Sequence, residues 1–338
     1  MPKAPAFVGT RSGHLSLIVF LTTAWHRRPS KALTDGTFGF NIPPCVNLRY
    51  DIFFRQTTCP LATYVFTDHE RLSSWELELA ETMFRFLEKQ GLRCLNDPAQ
   101  VRTRVELLRR LAADGISDIE VWRADEAPRP ERFPVFVRGE NDHSKPLSPL
   151  IHDQGALDKR LAEIRSAGRS LRGLIVLEHR PAPYGNGLWH KWGAFRVGDT
   201  ISVDHLAVDK TWLVKYGDYD LLTDEIRSDE HDAVITNRYE DEVRAVFDVA
   251  CVEYGRADYG FIDDRLVLYE INTNPSIGNY VPAKHPVSLE KQRHARERMA
   301  RGLFAIDTPE TGTIALDIKD VLFKRIRKNP GDVPFWRP

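Results

Sequence analysis

The sequence predicts an α/β fold that becomes α+β in its C-terminal part. From Asn47 onward, short runs rich in β-branched and aromatic residues alternate with segments of helical periodicity, as in packed layers of helix and sheet. Later in the chain, short strands are separated by turn residues such as Gly198-Asp199, which is typical of antiparallel hairpins. A chain of 338 residues, 42% of them hydrophobic, is long enough for two or three units with their own cores.

Composition argues against several classes of protein. The 47 lysines and arginines balance 48 aspartates and glutamates, so the net charge of −1 does not favour a nucleic-acid partner. The four cysteines form no CxxC pair, which argues against a disulfide framework or zinc cluster and favours a cytoplasmic protein. The longest early apolar run, Leu15 to Leu21, is shorter than the roughly 20 residues of a membrane helix, so no membrane partner is expected. Composition leaves a homodimer open.

Four segments are predicted along the chain. Residues 1–46 have mixed composition and no sustained period, which predicts an extension of uncertain order. Residues 47–125 predict a small α/β domain. The charged, proline-bearing stretch Arg123 to Arg132 is typical of an exposed connection and opens a larger domain over residues 126–305. Residues 306–338 form a tail with a final helix.

Local signals support these assignments. In the smaller domain, Ala62 to Thr67 predicts a buried strand, and an S-x-x-E capping box formed by Ser73 and Glu76 predicts the start of a helix. Amphipathic periodicity predicts a second helix over residues 101–113. In the larger domain, the apolar run Leu174 to Glu178 predicts another strand.

The most informative segment covers residues 256–278, RADYGFIDDRLVLYEINTNPSIG, which predicts two strands around a turn. An odd number of turn residues would place Asp258 opposite Glu270 and Arg256 opposite Asn272, whereas a two-residue turn would direct Arg256 and Asp258 away. Two carboxylates and an amide oxygen suit Mg²⁺, and a nearby arginine suits a transferring phosphoryl group. A solvated polar strand face would show the same spacing.

The R-x-D sequence followed by YEINTNP resembles the metal-binding end of ATP-grasp enzymes, the superfamily of glutathione synthetase and D-alanine:D-alanine ligase. The resemblance implies an ATP-grasp fold, in which a pre-grasp α/β domain precedes two α+β subdomains that clasp ATP. It also implies that Asp258, Glu270 and Asn272 hold Mg²⁺, which Mn²⁺ could replace, and that Arg256 is a catalytic residue of phosphoryl transfer. Only this metal motif is sharp.

The resemblance also implies phosphate contacts. The family uses two lysines, and the matching positions here are Arg104 and Arg138, which keep a positive charge and a planar fork for phosphate. Where the family has a glycine-rich lid, residues 139–146 contain a single glycine, so Lys145 or His143 would replace backbone contacts. Each of these residues could instead be an ordinary surface charge.

The adenine end is implied by the segment LIVLEHR, which resembles the family's hinge. Leu177 and His179 would contact the base through their backbone, and Glu178 would contact the ribose. Lys191 and Arg196, on a predicted hairpin, would face the triphosphate. A strand-end glutamate and a solvated basic hairpin are the plain alternatives.

The resemblance implies an ADP-forming ligase that activates a small-molecule carboxylate as an acyl phosphate and joins it to an amine. Asn274, Ser276 and Gly278 would contact these substrates, although the same residues are usual turn formers. The alternatives are a kinase on the same fold, acting on a small-molecule hydroxyl, and a non-catalytic nucleotide-binding protein. The scattered histidines stand in no GxSxG or HExxH context, and the implied reaction requires no protein nucleophile.

Overall fold

The chain is a mixed helix and sheet protein, described here from a computed structural model covering residues 16–141, 145–180, 187–215, 217–263, 265–309 and 311–328. Its strands are β1 (Ile18–Thr22), β2 (Cys45–Arg49), β3 (Thr58–Pro60), β4 (Thr63–Phe66), β5 (Cys94–Leu95), β6 (Val121–Arg123), β7 (Val135–Gly139), β8 (Leu174–Glu178), β9 (Trp189–Val197), β10 (Thr200–Asp209), β11 (Tyr254–Ile262), β12 (Arg265–Asn272) and β13 (Thr313–Ala315). Its helices are α1 (Lys31–Thr34), α2 (Tyr50–Phe53), α3 (Ser74–Lys89), α4 (Arg104–Ala113), α5 (Gln154–Ser166), α6 (Asp224–Thr236), α7 (Glu240–Ala250), α8 (Pro286–Ile306) and α9 (Val321–Lys328).

The first sheet is parallel and has the strand order β2-β1-β4-β5. All five residues of β1 are buried, because one face of the sheet packs on α3 and α9 and the other on α1 and the C-terminal half of α8. The expectation of an extension over residues 1–46 is therefore wrong from residue 16 onward. A strand buried on both faces reads as a short apolar run without alternation, so periodicity could not identify it.

Two antiparallel sheets follow. α5 packs on one face of the sheet β6-β8-β7, and the sheet β10-β9-β11-β12 packs against α6, α7 and α8. The parallel sheet and the helices packed on it form what we call the first unit. A short antiparallel pair, β13-β3, joins the C-terminal segment to this unit, and Phe323 and Ile326 of α9 lie in its core. The predicted final helix therefore packs onto the first unit.

Helix starts follow their capping residues. The Ser73 hydroxyl accepts a hydrogen bond from Glu76 N at 3.3 Å and Glu76 Oε2 accepts one from Ser73 N at 2.8 Å, so the predicted box opens α3. A second box, formed by Thr103 and Glu106, starts α4 at Arg104, three residues later than predicted. None of the helices in the described parts of the chain combines the length and apolar character needed to cross a bilayer.

Candidate active site

Strands β11 and β12 form an antiparallel hairpin, called here the motif hairpin, and its pairing places the predicted metal and phosphate residues opposite one another. Asp258 pairs with Glu270 and Arg256 with Asn272 across β11 and β12. The turn nevertheless has two residues, because Ile262 pairs with Arg265, and a two-residue turn was expected to separate the polar groups. The pairing shifts between Asp258 and Tyr259, which pairs with Leu268, so one extra residue is accommodated in β12. This bulge at residue 269 restores the alignment that the turn alone would have lost.

Asp258 is a buried carboxylate held between two cations. Its side chain is 2% exposed, and its oxygens lie 2.9 Å from Nζ of Lys191 and 2.9 Å from Nε of Arg256. Burial alone would raise the pKa of Asp258, but the positive charges of Arg256 and Lys191 outweigh it and hold the pKa below its usual value. Asp258 is therefore ionised at neutral pH.

Glu270, directly opposite, is also paired with basic side chains. Nη2 of Arg104, on the first turn of α4, donates to Oε2 of Glu270 at 2.6 Å, and Nη2 of Arg138, on β7, lies 3.8 Å from the same oxygen. Four cations thus surround two carboxylates. Cations in excess over carboxylates suit a polyanion such as a triphosphate.

The three predicted metal ligands can be compared with the donor atoms that divalent cations prefer. Asp258, Glu270 and Asn272 offer hard oxygen donors, which suit Mg²⁺ or Mn²⁺. Within the described ranges, no group of three or more His, Cys, Asp or Glu side chains could hold a metal ion alone. These residues therefore fit a metal that takes further ligands from water and phosphate, as Mg²⁺ does beside nucleotides.

A cavity of about 950 Å³, partly open to solvent, lies between the β6-β8-β7 sheet and the motif hairpin. It brings together residues that the sequence could relate only through a family resemblance. Those that line it are Arg138, Lys145, Leu177, Glu178, His179, Lys191, Asp258 and Glu270.

Four aromatic rings cluster in the wall of this first cavity. The ring of His179 lies 5.0 Å from Trp212 and 5.6 Å from Trp189, and Trp212 lies 5.1 Å from Phe136. Burial lowers the pKa of His179 to about 4, so its imidazole is neutral at physiological pH. A neutral aromatic enclosure suits a flat heterocycle. Sequence reasoning missed Trp189, Trp212 and Phe136, because nothing in their local spacing indicates that three separate segments converge.

Two predicted nucleotide contacts have other partners. Glu178 is 3% exposed, and its carboxylate accepts hydrogen bonds from the side chain of Arg132 and from the backbone N–H of Glu120. A ribose hydroxyl would have to compete with these two donors. Arg196 donates to Gly198 O at 2.9 Å and pairs with Asp248 at 2.5 Å. Arg196 lines neither cavity described here, so the structure does not bring it together with the other predicted phosphate contacts.

A second cavity, of about 1070 Å³, shares Tyr269 and Glu270 with the first. Arg104 lines this second cavity, at the boundary between the two. Leu107 and Leu108 contribute to an apolar wall. Four buried polar atoms on its lining residues have no hydrogen-bond partner among the described residues: Nδ1 and Nε2 of His69, Nη1 of Arg104 and Oε1 of Glu140. The second cavity therefore combines polar and charged side chains with apolar surface.

The three residues predicted to contact the substrates differ in their burial and contacts. Asn274 is 4% exposed, and its Nδ2 donates to His26 O at 2.8 Å and to Asp68 Oδ1 at 3.1 Å. Ser276 and Gly278 are exposed, and Gly278 O accepts a hydrogen bond from Arg296. None of the three predicted residues lines the second cavity, although Thr273 does.

No protein-family model matches the chain, and no curated protein matches it. The chain is similar in fold to solved ATP-grasp ligases. A D-alanine–D-alanine ligase from Bacillus anthracis, complexed with ATP, is 14% identical, with 94% of this chain and 100% of that chain covered at a TM-score of 0.45. A RimK domain ATP-grasp protein from Sphaerobacter thermophilus is 15% identical, with 85% and 99% covered at 0.45. The macrocyclase MdnC from Microcystis aeruginosa, bound with precursor peptide MdnA, is 13% identical, with 86% and 99% covered at 0.44.

Proposed function

We propose that this protein is an ATP- and Mg²⁺-dependent ligase that activates a carboxylate as an acyl phosphate and joins it to an amine, releasing ADP and phosphate. One observation carries the proposal. Asp258 and Glu270 pair across the two strands, each flanked by cations; Asp258 lines the first cavity, which also holds aromatic rings, and Glu270 lines both this cavity and the amphipathic second one. This arrangement suits a nucleotide in one cavity and its phosphoryl acceptor in the other.

In this proposal ATP occupies the first cavity. The base lies among His179, Trp189 and Trp212, where stacking on neutral rings is favourable. The phosphates extend toward Arg138, Lys145 and Lys191, which line the same cavity. Cationic side chains bind phosphate oxygens strongly through charge-assisted hydrogen bonds.

Asp258, Glu270 and Asn272 would hold Mg²⁺, which neutralises phosphate charge when bound. Arg256 already lies beside Asp258 and carries a charge suited to a transferring phosphoryl group. Phosphate groups bound beside Asp258 and Glu270 would compete with Glu270 for Arg104 and Arg138. These two side chains would then contact the nucleotide instead of Glu270. The carboxylate cluster thus keeps the phosphate-binding cations in place before the nucleotide arrives.

The acid and amine substrates occupy the second cavity in this proposal. An oxygen of the acid attacks the γ-phosphorus, the bond from that phosphorus to the bridging oxygen breaks, and ADP leaves with the electron pair. The amine then attacks the carbonyl carbon of the acyl phosphate and displaces phosphate. Positioning and charge neutralisation supply most of the catalysis, so no covalent enzyme intermediate is needed.

Thermal unfolding with ATP and Mg²⁺, with ATP and EDTA, and with neither tests the nucleotide site. Saturation at 100 times the dissociation constant should stabilise the native state by about 2.7 kcal/mol, enough to raise the melting temperature measurably. The Mg²⁺-dependent rise should disappear in Glu270→Ala and persist in Glu126→Ala, a control at an exposed glutamate that is likewise paired with an arginine. An equal rise in both variants, or none in the wild type, would refute the site.

Product analysis tests the reaction. Incubation with ATP, Mg²⁺ and mixtures of the twenty protein amino acids should release ADP and inorganic phosphate in equal amounts with formation of an amide. ADP without free phosphate, and a phosphorylated hydroxyl product, would instead identify a kinase.

A further inference from the structure

A histidine and an aspartate meet beside the parallel sheet, outside the site described above. His26 follows β1 and Asp68 follows β4, and these two strands are neighbours in the sheet. Because the strands are parallel, their carboxyl ends reach the same edge, and Nδ1 of His26 lies 2.6 Å from Oδ1 of Asp68. The pair is therefore positioned by the sheet itself.

Asp68 is held in place by hydrogen bonds and orients the imidazole. It is fully buried, and Oδ2 accepts hydrogen bonds from the backbone N–H of Thr23 at 2.8 Å and from its hydroxyl at 3.0 Å. Its backbone has φ +60°, a left-handed conformation that aspartate tolerates better than most residues. A carboxylate at Nδ1 favours the tautomer in which Nδ1 carries the proton and Nε2 accepts one.

The other ring nitrogen of His26 is available. The side chain is 29% exposed, and within the described ranges Nε2 has no hydrogen-bond partner. A histidine with one nitrogen fixed by a buried carboxylate and the other directed to an accessible space has the arrangement of a general base.

The location of this pair in the sheet also favours a ligand. The strand order β2-β1-β4-β5 sends the chain from β1 to one side of the sheet and from β4 to the other. The crevice between the carboxyl ends of β1 and β4 is therefore a topological switch point, the place where ligands bind in open α/β sheets. His26 and Asp68 stand on its two sides.

Contacts through Asn274 place this crevice next to the motif hairpin. Asn274 Nδ2 donates to both His26 O and Asp68 Oδ1, and Asn274 follows Asn272 by two residues, a span of at most about 7 Å. The adjacent Thr273 hydroxyl donates to Glu70 at 3.3 Å, and both of these residues line the second cavity. His26 and Asp68 are not among the residues that line this cavity, but His69 and Glu70, which directly follow Asp68, do line it, so the pair lies beside the chamber assigned above to the acid and amine.

We propose that His26 is the base that deprotonates the amine nucleophile, with Asp68 as its positioning residue. This inference rests on the proposed ligase function. The amine nitrogen forms a bond to the acyl phosphate carbon, the bond from that carbon to the phosphate oxygen breaks, and phosphate leaves with the electron pair. The α-ammonium group first loses one proton to Nε2 of His26, which passes it to solvent, and the second proton, lost from nitrogen after the attack, leaves with the departing phosphate.

The test compares two nucleophiles with the same acids. Amino acids are used as acids, with either an amino acid or hydroxylamine as the nucleophile, because α-amino groups are largely protonated at pH 7 whereas hydroxylamine is not. The variants are His26→Gln and the control His231→Gln, whose ring also contacts carboxylates but lies on α6, which packs against α8 and β10. In His26→Gln, amide formation should fall about 10²-fold or more while hydroxamate formation stays near the wild-type rate. The control should match the wild type in both assays.

Each other outcome has a defined meaning. Unchanged amide formation in His26→Gln would overturn the proposal, and so would an equal loss of amide and hydroxamate, because His26 would then act before or outside the proton transfer. Asp68→Asn should reproduce the selective loss more weakly. Absence of both products in the wild type would refute the proposed ligase function rather than the role of His26 within it.

Discussion

Arg104, the first residue of α4, donates to Glu270, near the end of β12, at 2.6 Å, and this bond joins segments 166 residues apart in the chain. Both side chains are largely buried, at 9% and 19% exposure. Burying ions is costly unless the charges are paired, so the energetics of this contact depend on both partners. The contact also identifies where the first unit meets the motif hairpin.

Removing the Glu270 carboxylate should therefore destabilise the protein without nucleotide. Glu270→Ala leaves Arg104 and Arg138 without this partner, and breaking a buried pair typically costs about 3 to 5 kcal/mol. Urea denaturation should show a lower midpoint, whereas Glu126→Ala should change it little, since the pair that Glu126 forms is about half exposed. Equal midpoints for the wild type and Glu270→Ala would contradict this account.

The aromatic rings in the wall of the first cavity give a prediction on affinity. Trp212 packs against His179 and Phe136, and stacking on a base is worth about 1 to 3 kcal/mol. Trp212→Ala should weaken ATP binding in calorimetry about 5- to 150-fold, and Trp212→Phe should retain most of the affinity. The exposed Trp25 provides a matched control, because Trp25→Ala should leave ATP binding unchanged.

His179 should make the protein sensitive to acid. Its pKa is about 4 in the folded state and near 6.5 when unfolded, so between these values the unfolded chain binds a proton that the folded chain does not. The contribution of this residue to stability should fall as the pH decreases from about 6.5 to 4. Urea midpoints measured at several pH values should decline less steeply in His179→Phe than in the wild type. Parallel curves would exclude this origin of acid sensitivity.

Asn96 should be a strong determinant of stability. It is fully buried, and its amide donates to Phe66 O and Tyr254 O while accepting from the backbone N–H groups of Glu253 and Tyr254. These four bonds join the first sheet to the start of β11. Asn96→Ala would leave several buried backbone groups unpaired, each costing about 1 to 3 kcal/mol. The φ of +63° at Asn96 also disfavours alanine. Asn96→Gly separates backbone strain from lost hydrogen bonds, because glycine adopts this conformation without strain. We expect this variant still to unfold at a lower urea concentration than the wild type.

The sequence could predict local elements, since these depend on patterns within a few residues, and the capping box at Ser73 and the strand Leu174–Glu178 are confirmed. The pairing of Asp258 with Glu270 was expected only for a turn with an odd number of residues, and it occurs with a turn of two. The bulge in β12 was not predictable, because the periodicity of the strand does not show where one residue will be left unpaired. The aligned side chains were therefore expected for a different reason from the one observed.

Long-range contacts account for the remaining differences. Nothing near Glu178 indicates that Arg132 will pair with it, and nothing near His26 indicates that Asp68 will meet it across two strands. The strand Ile18–Thr22 was missed because its burial comes from helices that lie much later in the chain, including α8 and α9. Such partners are decided by topology, and a single sequence carries little information about them.

Two basic residues on β9 provide a final contrast. Lys191 lines the first cavity and contacts Asp258, whereas Arg196 is turned toward Gly198 and Asp248. Lys191→Ala should therefore weaken Mg²⁺-dependent ATP binding, since it removes a cation from the predicted phosphate region. Arg196→Ala should leave ATP binding intact and lower the melting temperature only modestly, because Asp248 is mostly exposed. Calorimetric titration with ATP distinguishes the two variants, and a larger loss of affinity in Arg196→Ala than in Lys191→Ala would show that the hairpin faces the nucleotide differently.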